Sequence, residues 1–155
     1  MDIWFNSVAN EFGWMGNMAP YPIQYQGKTW RTSEALFQSM RFACPIIQES
    51  IRVEKSPMGA KMRAKAQKLH MTIIPASDQD LNNLRFCVSL KFEQHETLRT
   101  RLLATGTRTI YEDVSNRRGG RHLFWGARIE QGQIIGENNM GKILMDLRQN
   151  LLLES

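Results

Sequence analysis

An α+β fold is predicted, a compact helix-rich single domain over residues 1–155 with a small β-sheet, and three observations predict it. The chain has 155 residues, 42% hydrophobic and 23% charged, the profile of one globular domain. A chain of this length buries roughly 70% of the surface it exposes unfolded, so it needs no staples. Apolar residues recur at helical spacing through the middle of the chain and again at its end, while short β-branched and aromatic stretches stand around them. No repeat, low-complexity tract or Pro/Gly/Ser linker divides it.

Gly13, Gly16, Pro20, Pro22 and Gly27 concentrate turn chemistry in the first thirty residues. Ile23-Gln24-Tyr25 alternates and Gln26-Gly27 follows, which predicts a strand and a tight turn. Thr32 or Ser33 caps a helix with Glu34 in its first turn, and Leu36, Phe37 and Met40 give it a buried face. Ser56-Pro57 starts a helix with proline at its first position, continuing from Met58 to Leu69. Pro75-Ala76-Ser77-Asp78 opens another, with Leu81, Leu84, Val88 and Phe92 at three- and four-residue steps. Glu96 to Ala104 reads as a further short helix. Thr109 to Asp113 and Leu123 to Trp125 read as short strands around the loop Ser115 to Arg121. Arg128-Ile129-Glu130 and Gln133-Ile134-Ile135 flank Gln131-Gly132 as a hairpin. Met140, Ile143, Leu144, Leu147 and Leu151 define a closing amphipathic helix.

Several classes of function are set aside. No apolar run approaches the roughly 18 residues of a membrane span. Met1 to Asn6 lacks the basic and apolar regions of a secretory signal, so a cytoplasmic protein without a membrane partner is expected. Cys44 and Cys87 are too few for a disulfide framework or a thiolate zinc site. His70, His95 and His122 lack metal-ligand spacing, so neither a metal nor a cofactor is expected. Twenty Lys+Arg against fifteen Asp+Glu give a net charge of +5, which suits a phosphate-bearing ligand or a polyanion. No Walker A, GxGxxG, HExxH or GxSxG motif is present.

Four stretches are distinctive: Gly13 to Pro22; Gly27 to Gln38, with Thr32-Ser33-Glu34 and Phe37-Gln38; Phe124-Trp125-Gly126; and Gly136 to Arg148, with Asn138, Gly141 and Leu144-Met145. Ser56-Pro57-Met58 and Lys91-Phe92 lie between them. This ordered set resembles the YbiA-like family, also called the NADAR superfamily, from about Trp4 to Leu152. The resemblance implies a compact helix-rich α+β fold and hydrolysis of N-glycosidic bonds. One branch of the family takes the base from ribose 5-phosphate in riboflavin-pathway intermediates. Another is linked to NAD-derived ADP-ribose chemistry, including removal of ADP-ribose from guanine in nucleic acid. The implied partner is a phosphorylated ribosyl nucleotide or an ADP-ribosylated substrate, with modified nucleic acid among the options and a monomer or small homo-oligomer as the working form.

Breaking a ribosyl C–N bond passes through an oxocarbenium-like transition state. Such a site needs a fixed carboxylate, a proton donor near the base, aromatic rings and phosphate-binding cations. Glu34 matches the family's catalytic glutamate, and Asn17 its loop asparagine, expected at ribose or phosphate. Trp30 joins the substrate-binding set. Gln38, one turn after Glu34, either orients the carboxylate or the ribose or is a solvated polar position. Arg41 stands where relatives often carry lysine and is either a phosphate partner or a surface cation. Trp125 is the best stacking candidate, with an ordinary core tryptophan as the alternative, and Gly126 after it can let a ligand approach the backbone. Asn138 and Arg148 combine closing-helix structure with support of the site. Lys61, Arg117, Arg118 and Arg121 are phosphate-contacting candidates, the three arginines sharing a loop with Gly119 and Gly120.

The chain departs from the riboflavin-linked pattern in places. His122 replaces an aspartate three residues before Trp125-Gly126, Ala76 replaces a tryptophan, and Ala35 replaces the histidine after the glutamate. His122 is a candidate general acid because imidazole titrates near neutrality. Asp113 is the other candidate for that role. The departures tilt the expected substrate toward an ADP-ribosyl or NAD-related compound. A non-catalytic ADP-ribose or nucleotide-binding module is the alternative.

Overall fold

The computed structural model describes residues 1–118 and 120–155; Gly119 of the expected anion-contacting loop lies outside the described residues. In chain order the elements are β1 (Ile3–Phe5), β2 (Ile23–Tyr25), β3 (Lys28–Trp30), α1 (Ser33–Ser39), α2 (Pro45–Arg52), α3 (Pro57–Ala66), α4 (Asp78–Gln94), α5 (Glu96–Ala104), β4 (Ile110–Glu112), α6 (His122–Trp125), β5 (Arg128–Glu130), β6 (Gln133–Ile135) and α7 (Asn139–Glu154). The fold is α+β and helix-rich. Its strands form three two-stranded pairs among the described residues rather than one small sheet: parallel β1–β4 and antiparallel β2–β3 and β5–β6. Side-chain amides occupy edges that further strands would have taken. Gln94 accepts from the backbone N–H of Gln24 at 2.7 Å and donates to its carbonyl at 2.9 Å. Among the described residues no helix is long and apolar enough to cross a membrane.

The chain divides into two compact units, residues 17–94 and residues 1–16 with 95–155. In the first, Gln26 and Gly27 both take positive φ, the geometry of a two-residue turn that matches strand twist. Thr32 then caps α1, its hydroxyl accepting from the Ala35 N–H at 3.1 Å. Proline at the first helical position opens both α2 and α3, and the Ser56 hydroxyl caps α3. Buried Ile51, Ala60 and Ala64 bring α2 and α3 against α1, all seven of whose residues are buried. The buried face of α4 runs through Asp80, Asn83, Leu84, Cys87, Val88, Lys91 and Phe92.

In the second unit Ile3, Phe5, Leu98, Leu102, Ile110, Met140, Ile143 and Leu144 form the core. Trp4 stacks on its register partner Tyr111, ring centroids 4.4 Å apart. Leu123–Trp125 is not the strand its aromatic content suggested. It closes a single helical turn, α6, through Leu123 N–H to Gly120, Phe124 N–H to Arg121 and Gly126 N–H to His122. In a segment this short, local backbone bonds outweigh β-propensity.

Candidate active site

The first turn of α1 carries the principal constellation. The Asn17 carbonyl accepts from the Glu34 N–H at 3.1 Å and from the Ser33 hydroxyl at 3.1 Å, and the Asn17 side-chain oxygen also accepts from Ser33. Asn17 Nδ2 donates to Glu34 Oε1 at 3.2 Å, while Gln38 Nε2 donates to Glu34 Oε2 at 2.8 Å. Each carboxylate oxygen therefore has one amide donor, and the side chain is 8% exposed at the positive end of a short helix.

Behind Gln38 the network continues inward. Gln38 Oε1 accepts from Arg41 NH1 at 3.3 Å. The Arg41 guanidinium makes a two-pronged pair with Asp80, Nε to Oδ1 at 2.9 Å and NH2 to Oδ2 at 2.8 Å. The Phe37 ring lies 4.8 Å from the guanidinium carbon. Asp80 Oδ2 also accepts from the Ala76 N–H at 2.9 Å, and Ala76 sits at φ +62°. Arg41 is thus buried and ion-paired, not a surface cation.

The same face of α4 adds Cys87 and Lys91. Burial pushes the Cys87 thiol pKa up, reinforced by the nearby Glu34 and Asp80 charges. The buried Cys87 Sγ donates to Met40 Sδ at 3.5 Å. Lys91, 1% exposed, is brought down to about 7 by burial; its Nζ lies 5.4 Å from the Tyr21 ring centroid. Trp30, at the end of β3, is buried, and its indole N–H has no hydrogen-bond partner among the described residues. An orphaned buried donor is uncommon in a folded protein and is a natural contact for a ligand. Lys61 on α3 is half-buried.

The remaining expected residues belong to the other unit. The Asn138 amide is occupied with β4, accepting from the Glu112 N–H at 3.1 Å and donating to the Ile110 carbonyl at 2.9 Å. Arg148 is buried, its NH1 donating to the Thr105 hydroxyl at 2.8 Å, and burial lowers its pKa. Gly126 has a reason other than ligand approach: a Cβ there would lie 2.5 Å from the Glu112 carbonyl oxygen. Both Asp113 oxygens accept bonds, Oδ1 from the Ser115 N–H at 2.9 Å and Oδ2 from Asn6 at 3.3 Å. His122 opens α6 and Trp125 closes it, both half-buried, with the Trp125 ring edge-on to Phe124. Arg117, Arg118 and Arg121 are exposed. Among the described residues no group of three or more His, Cys, Asp or Glu side chains could hold a metal.

Sequence reasoning missed Asp80, and took Lys91 only as part of the Lys91-Phe92 stretch, because a polar residue at an apolar phase reads as an interruption. The signal was present, since Asp80, Leu84, Cys87 and Lys91 continue one helical stripe.

The NADAR domain model matches residues 4–152. The chain belongs to the NADAR family. It is 36% identical over 152 residues to the N-glycosidase YbiA of Escherichia coli K12, covering 97% of this chain and 88% of that protein. It is 28% identical over 154 residues to a riboflavin biosynthesis protein of Vibrio vulnificus, covering 96% of this chain but 38% of the relative. The NMR structure of E. coli YbiA superposes with a TM-score of 0.79 at 33% identity, covering 99% of this chain and 87% of that one. The α+β fold implied by the NADAR resemblance is therefore the fold observed.

Proposed function

We propose that this NADAR protein is a hydrolase of N-glycosyl bonds that separates a base from a phosphorylated ribose, with Glu34 as the working carboxylate. The observation that carries the reading is a buried carboxylate with one amide donor on each oxygen, at the first turn of a buried helix. As the C–N bond opens, positive charge develops at the anomeric carbon, and a carboxylate already held in place stabilises it without reorganising. The lone pairs left over by Asn17 and Gln38 serve the sugar or the attacking water.

His122 and Asp113 are the two candidates for the proton donor to the leaving base. Within residues 17–94, Trp30 supplies its unpaired N–H and Lys61 is the phosphate-contacting candidate. The replacements at His122 and Ala76 favour an ADP-ribosyl or NAD-derived substrate over a riboflavin-pathway intermediate.

The test is a mass-spectrometric product assay on a riboflavin-pathway riboside phosphate, NAD, free ADP-ribose and ADP-ribosylated guanine DNA. Run in 18O water, it should show base release with one labelled oxygen on the ribose, from the guanine adduct or NAD. Intact substrates throughout would overturn the hydrolase reading, and retention of ADP-ribose without product would make the protein a binding module.

A further inference from the structure

Asp80 is wholly buried and ion-paired, yet a buried ion pair is a poor stabiliser, because desolvating both charges costs about as much as their attraction returns. Its placement fits another purpose. A glutamine amide is nearly symmetric in shape, so packing alone does not decide whether its NH2 or its oxygen faces a neighbour. The end of Gln38 toward Glu34 must be the donor, because a carbonyl there would set lone pair against lone pair. Arg41 NH1, which can only donate, sits at the other end and dictates that orientation. The two-pronged bond to Asp80 and the Phe37 ring in turn fix Arg41. Asp80 is itself held by the Ala76 N–H, and its own N–H meets the Ser77 hydroxyl at 3.3 Å.

We propose that Asp80 is a positioning residue: through Arg41 it locks the Gln38 amide so that its NH2 holds the Glu34 carboxylate in one orientation. The proposal rests on the reading of Glu34 as the working carboxylate. It also assigns Arg41 to this relay rather than to a substrate phosphate, since three of its N–H groups are already committed.

The experiment has two arms. The first needs no substrate. The Gln38 side-chain NH2 resonances, assigned by their loss in Gln38→Ala, are followed by NMR in wild type, Asp80→Asn and Arg41→Lys. The Asn138 NH2, bonded in the other unit, is the internal control for folding. Exchange of the Gln38 NH2 protons should speed up by about tenfold or more in both variants, with Asn138 unchanged. Arg41→Lys keeps the charge and removes the fork, so it decides the matter should Asp80→Asn fail to fold. Unchanged Gln38 exchange in either folded variant would overturn the proposal.

The second arm follows base release from ADP-ribosylated guanine DNA. Asp80→Asn should lower kcat by about tenfold or more with KM nearly unchanged, and have little further effect on a Gln38→Ala background. Equal losses on both backgrounds would overturn the relay. Absence of turnover by wild type would count against the proposed function alone, leaving the NMR arm to decide the positioning role.

Discussion

Asn138 and Glu34 were both singled out by their motifs, and their hydrogen bonds differ in kind. Glu34 keeps lone pairs to spare, whereas the Asn138 amide is occupied with the backbone of Ile110 and Glu112. Asn138→Ala should therefore cost about 2 kcal/mol or more of stability, since it orphans a donor and an acceptor on β4. Turnover per folded molecule should be unchanged. Chemical denaturation beside an activity assay checks this, and a loss of activity without a loss of stability would return Asn138 to the substrate. The Gly-x-Asn-x-x-Gly motif is in this respect a packing device. A Cβ at Gly141 would lie 2.2 Å from the Ile110 carbonyl oxygen, so α7 starts directly against β4. Such roles are not legible in a sequence, because they depend on which strand the motif meets.

Among the elements, α4 shows best what apolar periodicity reveals and what it hides. Leu84, Val88 and Phe92 located the helix, but the same face also carries Asp80, Cys87 and Lys91. Lys91 has a measurable consequence. Burial lowers its pKa from the usual 10.5 to about 7, so between those values the unfolded chain binds a proton that the folded protein does not. Stability therefore rises with pH across that window. From pH 7 to 8.5, below the range where Cys87 opposes the trend, the gain is about 1–2 kcal/mol. Urea unfolding of wild type should show the rise, and Lys91→Met should flatten it; an unchanged slope would show that Lys91 is not the group responsible. The hairpin at Gln26-Gly27, the caps at Thr32 and Ser56 and the helix at Glu96–Ala104 were all legible, because turn and cap chemistry is local. β1 and α2 went unread, although Pro45 gives α2 the same opening that Pro57 gives α3. The parallel pairing of β1 with β4 joins residues 107 positions apart, and no local pattern announces it.

At the scale of the whole chain, family membership spans residues 4–152 and the α+β fold agrees with the solved YbiA structure. The expected set of site residues divides between the two units. Asn17, Glu34, Gln38 and Arg41 form one hydrogen-bonded network, and Asp80 completes it. In the other unit, His122 and Trp125 bracket one helical turn, while Gly126 and Asn138 hold the backbone around β4. The motifs name residues, and only the structure shows which of them bond to one another and which to the backbone.

The role proposed for Glu34 is decided by single-turnover base release from ADP-ribosylated guanine DNA, comparing wild type with Glu34→Gln. Matched circular dichroism and melting curves establish that both are folded. A folded Glu34→Gln protein should release base about 100-fold more slowly or worse. Base release by the variant at the wild-type rate would contradict that role.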